Sequence, residues 1–273
     1  MRTIAQLADL HFGRADRNLL DPLVEAVQEA RPDVVVVCGD LTQRARRRQF
    51  REAREFLDRL PGAHIVVPGN HDVPLFNLLA RFLWPLSGYQ QGITADLEPF
   101  YSDEELAIAG VNTARSWTHK GGRINVAQID RVAERLRGIG PGVVKMVATH
   151  HPFDLAAPFR ERDLVGRAAL AMKVFAEAGV DVLLAGHFHI GQTTSTAARY
   201  RIEGYAALVI QASTAVSTRS RGEPNSFNVL RVSRDSIVVD RLIWKAEGRR
   251  FARTGVEEFR RGSAGWARAE PSA

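Results

Sequence analysis

Five short polar clusters recur along the chain, each directly behind an apolar run: Asp9-Leu10-His11, Gly39-Asp40, Gly69-Asn70-His71-Asp72, His150-His151-Pro152 and Gly186-His187-Phe188-His189. The apolar runs read as strands over 3–8, 34–38, 64–67, 106–111, 143–148, 181–185 and 207–211. Helical patterns lie between several of them. Asp21-Pro22 reads as a cap followed by proline at the first helical position, with Leu23, Val24, Val27 and Ala30 as the apolar face. Asn125 with Gln128 reads as a capping box opening a helix to about residue 137, and a further helix is expected over 164–178. Strand–helix alternation predicts an α/β fold, in which groups just past the carboxyl ends of strands meet at one edge.

The pattern changes late in the chain. Residues 228–232 and 236–243 flank Ser233-Arg234-Asp235 as an antiparallel hairpin. This departure from alternation predicts two packed mixed β-sheets, a β-sandwich, flanked by helices, rather than one doubly wound sheet. With no internal repeat and no low-complexity linker, residues 1–244 are expected to form one domain. Residues 245–273 read as a basic tail, either frayed or packed across the surface.

Cys38 is the only cysteine, so no intrachain disulfide is available. It ends a run of four valines and reads as a small core residue. No apolar stretch reaches the ~20 residues of a membrane span. The N-terminus turns polar too soon for a secretory signal. Cytoplasmic residence is the expectation. The net charge of +6 favours anionic partners without naming one. Its densest part, Arg44 to Arg54, reads as the solvated face of a helix whose other face is Phe50, Ala53, Leu57 and Leu60. A nucleic-acid groove there is the less favoured alternative. The oligomeric state is open, a homo-oligomer included.

The clusters supply carboxylate, imidazole and amide groups, which suit Mn, Fe or Zn, and no thiolate. Of the eight histidines, only His64 and His119 fall outside them. In order and spacing the clusters resemble the calcineurin-like metallophosphoesterases. Asp9 to Gly13 and Gly39 to Thr42 are most similar to the branch containing bacterial class III cyclic nucleotide phosphodiesterases, as is the stretch from Ser217 to Phe227. The resemblance implies the two-sheet metallophosphoesterase fold and a centre of two divalent or trivalent ions. Asp9, His11, Asp40 and His189 hold one ion; Asp40, Asn70, His150 and His187 hold the other. It leaves His151 outside the ligand set. His71 takes the role of general acid or leaving-group stabiliser, and Asp72 orients His71 or closes its turn.

Two cations ~3.5–4 Å apart bind phosphoryl oxygens and lower the pKa of a bridging water, so that hydroxide attacks a small anionic phosphoester in line. The implied activity is hydrolysis of cyclic nucleotides or related diesters. A lipid diphosphate hydrolase, a nuclease and a non-enzymatic binding scaffold are the alternatives. Asn112 and Arg115, after a strand, are candidate substrate contacts, as are Arg219 and Arg221 in a later loop. Residues 73–86 are the most apolar stretch beside the clusters. A core helix is the ordinary explanation; exposure there marks a lid, a dimer surface or a lipid groove.

Overall fold

Val34, Val35, Val36, Val37 and Cys38 are apolar on both faces of a strand, and both faces are buried. Val34, Val36 and Cys38 point into a core shared with a second sheet, while Val35 and Val37 point at helices. A strand covered on both sides has no solvated face to alternate toward, hence the unbroken valine run.

The computed structural model describes residues 1–156, 159–219 and 222–269. The chain begins with β1 (Arg2–Leu7), α1 (Leu20–Ala30), β2 (Val34–Cys38), α2 (Arg47–Leu57), β3 (Ala63–Val67), α3 (Leu78–Leu83) and α4 (Ser87–Gly92). Then come β4 (Phe100–Ser102), β5 (Leu106–Gly110), α5 (Val126–Arg137), β6 (Val144–Ala148), α6 (Ala168–Glu177) and β7 (Val182–Ala185). It ends with β8 (Gln192–Ser195), α7 (Ala197–Tyr200), β9 (Leu208–Gln211), β10 (Ser226–Val232), β11 (Ser236–Lys245), β12 (Arg250–Gly262) and β13 (Gly265–Arg268).

Two mixed sheets result, as expected. One has seven strands in the order β13-β12-β11-β10-β1-β2-β3; the other has six, β4-β5-β6-β7-β9-β8. Ile4, Val36 and Leu230 of the first meet Ile108, Met146 and Leu184 of the second. The first sheet's outer face packs Leu7 and Val37 against Leu23, Phe50 and Tyr89 of the helices. The second packs Ala109 and Val147 against Ile129, Val132 and Phe175. Polar ties cross between the sheets too: Gln6 donates to the Ile210 carbonyl at 2.9 Å, and Asn228 donates to the Gln211 carbonyl at 3.2 Å. Cys38 is fully buried, and burial pushes its thiol up to about 12, in keeping with a core role.

Local signals fared unevenly. The capping box of α5 forms, with Asn125 accepting from the Gln128 amide at 2.8 Å and Gln128 accepting from the Asn125 amide at 3.1 Å. Asp21 is not a cap: α1 already starts at Leu20, because a single 3-10 turn over Arg17–Leu19, capped by Asp16, feeds directly into it. The basic face of α2 is laced by Arg48–Glu52, Arg51–Glu55 and Arg54–Asp58 pairs one turn apart, the pattern of a solvated helix.

The segment read as a basic tail is sheet through Arg268. β12 pairs with β11 and β13 returns on β12. Phe251, Phe259 and Trp266 anchor it in the core. Trp266 also donates to Asp181 at 2.9 Å, and Arg261 pairs with the same carboxylate at 2.7 Å, tying this hairpin to the second sheet.

Candidate metal centre

All five polar clusters follow parallel strands. Asp9 and His11 leave β1, Asp40 leaves β2, Asn70 to Asp72 form a 3-10 turn after β3, His150 and His151 leave β6, and His187 and His189 leave β7. The carboxyl ends of both sheets converge, so residues up to 180 positions apart become neighbours. Backbone bonds lock the loops together: the Asp9 amide donates to Gly39 at 3.1 Å, the His11 amide to Asp40 at 2.9 Å and the Gly186 amide to His150 at 3.1 Å.

Asp9, His11, Asp40, His187 and His189 all have positive φ, between 49° and 79°. Non-glycine residues avoid this region because Cβ crowds the following carbonyl. Gly39 shares it, with φ 77°, and a Cβ there would lie 2.7 Å from the His150 imidazole. Gly69 is required by proximity instead, since its Cβ would meet Asp40 Oδ1 at 2.1 Å.

Two sets of side chains form. Asp9, His11 and His189 cluster, and Asp9 and Asp40 cluster with His150. His150 Nε2 lies 3.1 Å from Asn70 Oδ1, 3.1 Å from His187 Nδ1 and 3.4 Å from Asp40 Oδ1. His189 Nε2 lies 3.2 Å from His11 Nε2 and 3.3 Å from Asp9 Oδ1. Asp40 reaches both sets, with Oδ2 3.7 Å from His11 Nε2.

Hydrogen bonds from behind decide which atoms face inward. His150 Nδ1 donates to the Cys38 carbonyl at 2.8 Å, leaving a lone pair on Nε2. Asn70 donates its amide to the His119 carbonyl at 3.1 Å, which turns its oxygen to that same Nε2. Two lone pairs thus face each other at 3.1 Å. His189 Nδ1 donates to the Arg219 carbonyl at 2.7 Å, so Nε2 is the atom aimed at His11 and Asp9. Backing of this kind is what orients metal-binding imidazoles.

The protonation states carry the same message. Burial opposes charge on Asp9, but contact with His189 holds its carboxyl below the usual range. Burial and the neighbouring Asp9 raise Asp40. Asp9 raises His189 against the effect of burial, so a proton there answers some of these contacts. Burial lowers His150, and nothing supplies a proton between it and Asn70. A cation between the facing lone pairs resolves the repulsion, and the oxygen and imidazole donors fit transition-metal ions.

His151 sits in a third close group with His150 and His187. Both its nitrogens are engaged, with Thr113 Oγ1 at 2.8 Å and the Lys120 carbonyl at 3.1 Å. The Asp72 carboxylate closes the turn by accepting from Gly69, and it binds the Leu41 and Thr42 amides and the Thr42 hydroxyl; these bonds join the second and third loops.

His71 borders the cluster, grouped with His11 and Asp40. Its amide donates to Asp40 Oδ1 at 2.8 Å, and its ring lies edge-on to His11. Gln43 and Arg44 also contact this ring, Arg44 at 3.4 Å, and no sequence signal had tied either to His71. Arg219 reaches His71 as well. Arg221 lies outside the described residues. Arg115 donates to Asn112 and Ala114 carbonyls and to Gln128, and Asn112 accepts from the Ala114 amide. These bonds hold both residues to the start of α5 and join neither to the cluster.

The fold is shared with solved structures of low sequence identity. A dimetal phosphatase from Danio rerio superposes with a TM-score of 0.62 at 16% identity, over 87% of this chain and 95% of its own. A purple acid phosphatase from yellow lupin seeds gives 0.62 at 11% identity, over 89% of this chain but only 51% of its own length. GAP50, the anchor in the inner membrane complex of Plasmodium, gives 0.54 at 14% identity, over 90% of this chain and 85% of its own. No curated protein is significantly similar in sequence. The profile of the calcineurin-like phosphoesterase family matches residues 2–191, the span holding all five clusters, and the chain belongs to that family.

Proposed function

We propose that the chain is a phosphodiesterase that works with two metal ions and hydrolyses small anionic diesters, cyclic nucleotides among them. The observation that carries this reading is the pair of donor sets meeting at Asp40, with lone pairs facing one another and no proton to separate His150 from Asn70. Asp9, His11, Asp40 and His189 would hold one ion; Asp40, Asn70, His150 and His187 would hold the other. Family membership supports phosphoester chemistry. Two similar folds are a dimetal phosphatase and a purple acid phosphatase. When bound, the ions neutralise phosphoryl charge and supply an activated water.

The chain's own part is positioning and charge. His71, held by Gln43 and flanked by Arg44 and Arg219, stands beside the donor sets, where a departing oxygen needs a proton or a hydrogen bond. Cyclic nucleotides are put first because Asp9 to Gly13 and Gly39 to Thr42 resemble that branch. The paired charges of α2 count against a continuous nucleic-acid groove.

The test is metal analysis after Mn²⁺ reconstitution, followed by assays on bis(p-nitrophenyl) phosphate, cyclic AMP, single-stranded DNA and a lipid diphosphate. Two ions per chain and turnover of the first two substrates are expected. Metal binding without turnover of any substrate would make the protein a binding scaffold, and preference for DNA or lipid diphosphate would replace the substrate class.

A further inference from the structure

Directly behind His71 and Asp72 the chain does something unusual for a surface in water. Phe76 is 77% exposed, and Leu78, Leu79, Phe82, Leu83 and Trp84 are exposed with it. Trp117, 85% exposed, packs on Phe82 with ring centroids 4.8 Å apart. Of the eleven large exposed apolar side chains among the described residues, these are seven, so they form a patch rather than ordinary scatter.

The patch is rigidly presented. Arg81, on α3, is only 2% exposed, and its guanidinium donates to the carbonyls of Ser116 at 2.7 Å, Pro74 at 2.9 Å and Thr118 at 2.6 Å. Asn77 caps the same helix, accepting from Ala80 at 3.0 Å. The helix therefore turns its cation inward and its leucines and phenylalanine outward, the inverse of a soluble amphipathic helix.

Charge around the patch has one sign. Residues 73–95 and 106–129 contain no Asp or Glu. Arg44 lies over the Phe76 ring at 5.6 Å, and Lys120 and Arg123 are exposed in the loop that carries Trp117. A second copy of this chain on the same face would bring cation against cation. An anionic lipid surface matches both features, accepting Leu, Phe and Trp at the acyl boundary and Lys and Arg at the headgroups.

We propose that this ledge docks the protein peripherally on an anionic membrane surface. The ledge is joined to the candidate centre, because the loop bonded to Arg81 continues to His119, whose carbonyl orients Asn70. Docking would therefore bring the donor loops close to the membrane surface.

Co-sedimentation with phosphatidylcholine vesicles, with and without phosphatidylglycerol, tests the proposal on the full chain. Wild type should pellet with the anionic vesicles, less with the neutral ones, and less at high salt. The triple variant Phe76→Ser, Leu79→Ser, Trp117→Ser should lose on the order of tenfold or more in bound fraction, with unchanged thermal unfolding. The pair Lys120→Glu, Arg123→Glu leaves the apolar ledge intact and should lose only the preference for anionic vesicles. Failure of wild type to pellet overturns the proposal, as does equal pelleting by both variants. So does ultracentrifugation showing a wild-type dimer that the triple variant dissociates while neither binds vesicles.

Discussion

The Arg219 guanidinium lies 2.9 Å from His71 Nε2. Arginine only donates, so Nε2 accepts and the neutral ring carries its proton on Nδ1, which donates to the Gln43 carbonyl at 3.0 Å. Burial lowers the His71 pKa and Arg219 lowers it further, against the charge of Asp40 and the bond to Gln43. On the proposed mechanism Nε2 would have to carry a proton to assist a leaving group, giving up its bond from Arg219, so the two residues would act together. His71→Ala should keep both ions yet slow cyclic nucleotides and alkyl diesters by about 10²–10⁴-fold, and p-nitrophenyl esters much less, because an alkoxide needs a proton and a nitrophenolate does not. Arg219→Ala should reproduce that leaving-group dependence in weaker form. Equal losses on both substrate types would make His71 a phosphate-positioning residue; loss of an ion would make it structural.

Asp40 touches both donor sets. Asp40→Ala should abolish nearly all turnover and weaken at least one of two ions, read by metal analysis on the reconstituted protein. Retention of substantial wild-type turnover would move the bridge elsewhere.

Diesters should be preferred to monoesters, with higher kcat/KM on bis(p-nitrophenyl) phosphate than on p-nitrophenyl phosphate. The reverse order would remove cyclic nucleotides from first place.

Gly39→Ala places a methyl group 2.7 Å from the His150 ring at a backbone φ of 77°. The left-handed conformation alone costs about 1–2 kcal/mol. The ring must also shift from its bond to Cys38. The variant should be destabilised in urea titration and bind one ion more weakly than the other. Unchanged affinity for both would show that His150 has room to move.

Trp266 is buried at the end of the last hairpin, bonded to Asp181 and stacked under Arg261 at 4.7 Å. Trp266→Ala should lower stability by about 3–5 kcal/mol, measured by denaturant unfolding. A loss under about 1 kcal/mol would mean that the hairpin contributes little to the core.

The central strands were legible because β2 and β7 are buried on both faces and apolar throughout, and β6 departs from that pattern only at Lys145. The donor loops were legible because chemistry-bearing residues sit immediately past those strands. β12 escaped because its thirteen residues carry four arginines and two glutamates, with buried apolar anchors only at Phe251 and Phe259; long-range pairing with β11, not local pattern, makes it a strand. Gln43 escaped, and so did the contacts of Arg44 and Arg219 with His71, for a related reason. Arginine and glutamine are ordinary surface residues, and nothing local ties Arg219 to a histidine 148 positions away. The outward face of 73–86 was a choice between burial and exposure that only Arg81 decides, and its three carbonyl partners come from two separate loops.

The left-handed backbone at Asp9, His11, Asp40, His187 and His189 has an evolutionary corollary. Glycine at any of these positions would relieve roughly 1 kcal/mol of strain. At Asp40 and Asp9, however, the same change would leave the His71 and His187 amides without their acceptors, a loss of about 1–3 kcal/mol each that outweighs the relief. The strain is thus held in place by the contacts these side chains make, and a descendant that lost the use of the site could relieve it only where those contacts were first replaced, which makes the left-handed loops slow to erode.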